Sequence, residues 1–488
     1  MLFTAAHNTN QKKLGNTMFK HTMLAACAAV TFTSAPVMAA EKSEIELLRE
    51  QVELMRQEIQ QLKRQQQDTT ARAVHAQREA HSAATQANAA RTESYSVKQG
   101  LPDLDGVIST NHDYADTMLN WQNDVTGKAR RLLQYRQSGA LQADRAYISG
   151  IFKGSLMAEW SDTEDKFGIL SRFPGQHSGS SGSRFVVNNA ALGTTATVGD
   201  WVNAYLQLEY TETEYPGQDD LQMRKAFVTV GNLNESPLYA YFGRNTIDFG
   251  DMDSYNPFTH TVVNHYFQAV SDDPIAALGY YDGNWDIVAT AINGGRQMRV
   301  ADHPDTNHIK NFALNANYTF DLGQQQGLRF GGSYLHSTIY NSLTPHHTTT
   351  QASVLTDRER VGAAGGVIEY TSPSFDMMGE FVTTTDEWQA TDHAVWAATA
   401  QAEYRFDAWE RPHAVSLVYG HGEQGSDGTE WERVIQGVLG YETELFPHFY
   451  VGAEYVYNQG WVPLINIQQV ADRDVRNHSL VAGGRFVF

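Results

Sequence analysis

The sequence predicts an all-β transmembrane barrel of about 16 antiparallel strands, preceded by a short N-terminal coiled-coil helix. Three observations carry that prediction. From Arg145 onward, segments of about ten residues alternate apolar and polar side chains. The connections between them alternate short and long, and the chain ends on an aromatic residue, Phe488.

The alternation is cleanest in four places. In Trp201–Thr211, Val202, Ala204, Leu206, Leu208 and Tyr210 fall on one face, with Asn203, Gln207, Glu209 and Thr211 on the other. Asn311–Phe320 repeats the pattern, as do Val395–Asp407 and Phe449–Asn458. A strand turns successive side chains to opposite faces, so each segment presents one face to lipid and the other to water. Sixteen such segments begin near residues 145, 184, 201, 221, 237, 275, 285, 307, 328, 361, 374, 393, 412, 430, 448 and 476.

Short connections are expected at Gly199-Asp200, Gly231–Ser236, Asn284, Asp321–Gly327, Ser372-Pro373, Ala408–Arg411 and Phe446-Pro447. Longer ones fall at about 161–183, 248–274, 340–360 and 460–475. Outer-membrane barrels have short periplasmic turns and long external loops, so the first strand rises from the periplasm and the even count returns the C-terminus there. Leu480, Ala482, Phe486 and Phe488 share one face, which resembles the C-terminal signal of Gram-negative outer-membrane barrels. A propeller is disfavoured, because Trp285-Asp286 is a lone dipeptide rather than a repeat.

Composition agrees. The chain has 488 residues, 36 Lys and Arg against 56 Asp and Glu, and 11% aromatic residues. A net charge of −20 disfavours a nucleic-acid partner, whose phosphates select basic surfaces. The single cysteine, Cys27, lies in an apolar run, so thiolate metal sites and thiol nucleophiles are not expected.

Residues 1–39 read as a leader, with Met18 as the start. Lys20, the apolar stretch Met23–Phe32, Pro36 and then Val37-Met38-Ala39 fit a signal peptide cut after Ala39. Residues 40–72 hold an a/d heptad seam of Ile45, Leu48, Val52, Met55, Ile59 and Leu62, which predicts a periplasmic coiled coil and a homo-oligomer, with a trimer preferred. Residues 73–144 read as a periplasmic tether, and residues 145–488 as the barrel.

The chemistry expected is passage rather than catalysis: no catalytic, cofactor or metal-binding motif is found. Lumen-facing candidates are Arg224, Arg244, Arg329, Glu403, Arg405 and Glu454, where mixed charges imply a hydrated interior. The connection Asp248–Pro274 is expected to fold inward and narrow the pore. Its Asp248, Asp251, Asp253, His260, His265, Asp272 and Asp273 include five acids and no Lys or Arg, which predicts a constriction favouring cations.

The segments Tyr239-AYFGRNTIDFGDMDSYNPFTH-Thr261 and Ile275-AALGYYDGNWDIVATAINGGR resemble those of the LbtU-family siderophore porins. The resemblance implies passage of a ferric siderophore through the outer membrane without an energised plug-type receptor. Two other readings stand beside it: a general, phosphate-type or sugar-type porin with cation preference, and an envelope tether whose coiled coil is anchored by the barrel.

Overall fold

The computed structural model describes residues 108–164, 179–212, 221–270, 274–293, 309–340, 360–388, 391–427, 432–460 and 475–488. All belong to one compact unit, Asp103–Phe488. The leader, the coiled-coil seam from Ile45 to Leu62, and Asp272 and Asp273 lie outside the described residues.

A two-residue strand, β1 (Ile108–Ser109), leads into helices α1 (His112–Leu119) and α2 (Lys128–Gln137). The barrel follows: β2 (Ala146–Ser161), β3 (Ser181–Val198), β4 (Val202–Tyr210), β5 (Leu221–Gly231) and β6 (Leu238–Arg244). A short helix, α3 (Val262–Phe267), interrupts it before β7 (Ile275–Tyr281), β8 (Trp285–Ile292), β9 (Asn311–Gly323), β10 (Gln326–Leu335) and β11 (Ala363–Thr371). The last six strands are β12 (Phe375–Thr384), β13 (Trp396–Ala408), β14 (Arg411–Glu423), β15 (Arg433–Phe446), β16 (Phe449–Gly460) and β17 (Arg476–Val487).

Each of β2–β17 pairs antiparallel with its sequence neighbours, and β17 pairs back to β2, so sixteen strands close into a barrel. β1 adds only a parallel two-residue pairing along β2. None of the sixteen starts departs from its sequence expectation by more than four residues. The two-residue turn Gln324-Gln325 has positive φ at both positions, as does Trp409-Glu410, which is the twist a tight hairpin requires.

Burial is inverted relative to a soluble protein. On β4 the inward Asn203, Gln207 and Glu209 are at most 1% exposed, whereas the outward Leu206 and Leu208 are 38% and 43% exposed. Phe152, Phe242, Leu278, Leu417 and Leu439 stand on the same outer surface. Leaving each such side chain in water would cost about 1.5–3 kcal/mol relative to burial, so this surface requires hydrocarbon around it. The protein is a transmembrane β-barrel; no described helix is long and apolar enough to cross a membrane.

The lumen contains the chain's own N-terminal segment. Asn111 caps α1, its side chain accepting from the Tyr114 amide at 3.0 Å, and Gly127, at φ +74, turns the chain into α2. Tyr114, Met118, Leu119, Leu132 and Leu133 are fully buried. They pack with the inward Tyr147, Tyr205, Phe227, Tyr239 and Tyr241 of β2, β4, β5 and β6 or with the adjoining wall. This corrects the tether expected over 73–144: its described part, 108–144, is packed against the inner wall. Both helices are too short, and α2 too rich in Arg and Gln, for their apolar faces to register as a periodic run.

Candidate functional site

Residues 245–270 leave the wall after β6 because the backbone turns at Gly243, whose φ is +137. A side chain there would run into the Ala226 carbonyl and lie 2.7 Å from the Phe227 Cα, so only glycine lets the chain depart. The connection crosses the lumen, and α3 packs against β12–β15 on the far wall. Two glycines of β14 make room: the space a Cβ would fill at Gly420 and Gly422 is taken by Val262 and Tyr266.

The crossing segment is laced to successive strands near their mid-height. The Asp251 and Met252 amides donate to Glu380 of β12 at 2.7 and 3.1 Å, and the Tyr255 amide donates to Gln401 of β13 at 3.0 Å. Ser416 of β14 donates its hydroxyl to Asn256 Oδ1 at 3.1 Å. Glu454 of β16 accepts from the Phe258 and Thr259 amides at 2.5 and 3.0 Å and from the Thr259 hydroxyl at 2.5 Å. Lys153 of β2 joins three elements, donating to the Pro257 carbonyl at 2.8 Å, to Asn120 Oδ1 at 3.1 Å and to Gln122 Oε1.

The loop acids have specific partners. Asp248, 3% exposed, accepts from the Gly127 amide at 2.8 Å and the Tyr241 hydroxyl at 2.5 Å. Asp253 accepts from the Asp124 and Val125 amides at 2.8 and 2.7 Å. Both therefore terminate the turn between α1 and α2 rather than projecting into open water. Asp251 pairs with Arg329 of β10, which also pairs with Glu369 of β11 at 2.8 Å. The ring of His260 stacks near Trp121 with centroids 6.2 Å apart, and His265 meets His260 edge-on at 6.0 Å.

Charge states follow from this packing. Burial, then the neighbouring Asp251 and Asp124, raises the Asp253 carboxyl well above the ordinary range. Burial likewise raises Asp248. Burial opposes ionisation of Asp124 too, but Arg131, Lys128 and Arg130 hold it below the usual carboxylate value. Lys128, whose ammonium caps the end of α1 through the Thr117, Asn120 and Asn123 carbonyls, is lowered by burial to about 8.

Of the expected lumen residues, Arg224 sits inward beside Glu209 at 3.6 Å with its guanidinium over Trp121. Arg405 bridges Asp376 and Glu403, each at 2.6 Å, near the short turn that precedes β12. Arg244 differs: it has the outward parity of Leu238, Ala240 and Phe242, at the end of a seven-residue strand. The inward aromatics were the missed signal. Tyr205 interrupts the polar face of β4, and Phe227, Tyr239 and Tyr241 continue the apolar patch on β5 and β6. A water-lined lumen has no use for such a patch unless something docks on it. Among the described residues no three metal-ligating side chains converge.

No family model matches the chain. A curated Coxiella burnetii (strain RSA 493 / Nine Mile phase I) protein described as "UPF0422 protein" is 23% identical over 263 residues, 51% of this chain and 54% of that protein. The chain thus spans about half the length of this relative. Among solved structures, the anion-selective porin from Comamonas acidovorans is similar with a TM-score of 0.48 and 11% identity, over 70% of this chain and 99% of that one. The trimer form of OmpT from Vibrio cholerae is similar at 0.46 and 15%, over 70% and 99%. The DcaP channel of Acinetobacter baumannii is similar at 0.44 and 14%, over 70% and 97%.

Proposed function

We propose that the protein is a diffusion channel of the outer membrane with a preference for small cationic solutes. The observation that carries this reading is the polar wall left beside the crossing loop. Its partly exposed ion-paired groups are the acids Asp116, Asp124, Asp251, Asp286, Glu369, Asp376, Glu403 and Glu442 against the bases Arg130, Arg131, Arg224, Arg329 and Arg405. Acids outnumber bases, and low-dielectric walls focus the resulting field. Single-channel recording in a planar bilayer tests it: potassium should permeate better than chloride, most strongly in dilute salt, where the Debye length is longest. Chloride preference, or equal permeation in dilute salt, would reject the reading.

The narrower form of the proposal takes a ferric siderophore as cargo, following the LbtU-family resemblance. A deletion strain growing normally on purified ferric siderophore under iron limitation would remove that cargo while leaving the channel. Residues 40–72 would hold the channel as a homo-oligomer through their heptad seam, which chemical cross-linking reads directly. The filled lumen favours one alternative, an envelope tether anchored by a closed barrel, and absence of any conductance would select it.

A further inference from the structure

The arrangement of charges inside the barrel goes beyond a loop-lined constriction. Starting on α2, Arg131 pairs with Asp124 at 2.5 Å. The Asp124 amide donates to Asp253 at 2.8 Å, and the Asp253 amide donates to Asp251 at 3.3 Å. Asp251 pairs with Arg329, and Arg329 with Glu369 at 2.8 Å. These contacts form an unbroken arc from the N-terminal hairpin, through the crossing loop, to β10 and β11. Acids occupy its middle and a guanidinium stands toward each end.

The hairpin holds its end of the arc from both sides. Its apolar face is buried against the inward tyrosines and Phe227, and its turn is fixed by Asp248, Asp253 and Lys153. Its other face carries Arg131, whose side chain is 39% exposed although it lies inside the barrel. That exposure leaves its guanidinium accessible to water beside Asp124.

Resting on the channel reading above, we propose that the N-terminal hairpin forms the second wall of the narrow section, and that Arg131 is a selectivity-determining side chain for the solutes that pass. The loop supplies the acids and the hairpin supplies an opposing positive charge, which limits cation preference and keeps the section from acting as a simple acidic ring. Removing that charge leaves Asp124 and Asp251 less compensated. One unit charge some 6 Å from a permeating ion in water changes its relative permeation by about threefold.

The test is an Arg131→Cys variant in a Cys27→Ser background, recorded in planar bilayers. Before labelling, its potassium-to-chloride permeability ratio should exceed that of the unmodified protein by about tenfold in dilute salt, because the lost charge acts with opposite sign on the two ions. A sulfonate thiol reagent should raise the ratio further. A trimethylammonium reagent should return it toward the starting value and reduce single-channel current. An Asn232→Cys variant, labelled at the turn between β5 and β6, should show no change. A new thiol at 131 that fails to react, or that reacts without altering current or selectivity, would overturn the hairpin's role. Failure of the unmodified protein to conduct would instead overturn the channel reading, so the two failures are distinguishable. An Arg131→Gln variant repeats the charge test without labelling, and an unchanged permeability ratio there would also overturn the proposal.

Discussion

Glu454 offers a direct measure of what holds the crossing loop. Its carboxylate is 2% exposed and is the acceptor for two amides and a hydroxyl of Phe258 and Thr259. Hydrogen bonds to a charged group contribute about 1.5–3 kcal/mol each, so Glu454→Ala removes nominally about 5–9 kcal/mol. Water entering the vacated space recovers much of that. We expect a net loss of about 3 kcal/mol, or roughly 150-fold in the local docking equilibrium. Glu454→Gln keeps one oxygen for both amides and turns its NH2 toward the Thr259 hydroxyl oxygen. It should lose only the charge assistance, about 1 kcal/mol and roughly fivefold. Amide hydrogen exchange in detergent micelles, read by mass spectrometry over residues 251–267, reports both variants. Heat-modifiable gel migration should show that the barrel itself persists. Native-like protection in the alanine variant would refute the reasoning. Equal damage from glutamine and alanine would show that charge, rather than acceptor geometry, holds the loop.

Three further outcomes are expected. A methyl group at Gly483 would strike the Gly154 carbonyl and lie 2.8 Å from the Ser155 Cα, both backbone, so Gly483→Ala should loosen the β17–β2 seam and lower the heat-modification midpoint. Leu132→Ala removes a fully buried side chain and should weaken hairpin docking by about 2–5 kcal/mol, seen as faster amide exchange in α2 with the barrel strands unchanged. Asp282 accepts from the Asn284 and Trp285 amides at 3.0 and 2.8 Å, and those bonds hold its carboxyl below the usual range. Its folded value being depressed, the turn's stabilisation is present above the unfolded carboxylate value and is lost as pH falls through the folded one. A carboxyl NMR titration with an ordinary or elevated midpoint would contradict this.

The wall of the barrel was legible because its code is local. Alternation in β4, β9, β13 and β16 is set by neighbouring residues, and the short turns by two or three more, so the strand starts fell within four residues of expectation. The interior was less legible because its contacts join residues far apart in sequence. Asp253 reads as a pore acid until Asp124, 129 residues earlier, is found donating to it. Glu454 reads as one of several lumen charges until Phe258 reaches it across 196 residues. The hairpin carried a weaker but real signal. Tyr205, Phe227 and Tyr241 on inward positions are apolar where a bare lumen would be polar, and that mismatch asks for a docked partner.

The position of the hairpin also constrains how the molecule is made. Closing the barrel joins strands whose ends, Arg476 and Asp162, are 314 residues apart, a search with a loop-closure cost of about 5 kcal/mol. Helix α1 packs against β2, β3 and β17, and its Asp116 pairs with Arg485 on the last strand. A segment synthesised before any strand of the wall thus ends up spanning both sides of the seam from within. At the same seam Phe488 exchanges backbone hydrogen bonds with Gly150 at 2.8 and 2.9 Å, and its ring fills the space a side chain on Gly150 would need. The hairpin can therefore serve as an internal template in biogenesis, holding the first strands in register until the C-terminal strand arrives. Chains lacking it would face the closure search unaided and spend longer with two unpaired edges exposed.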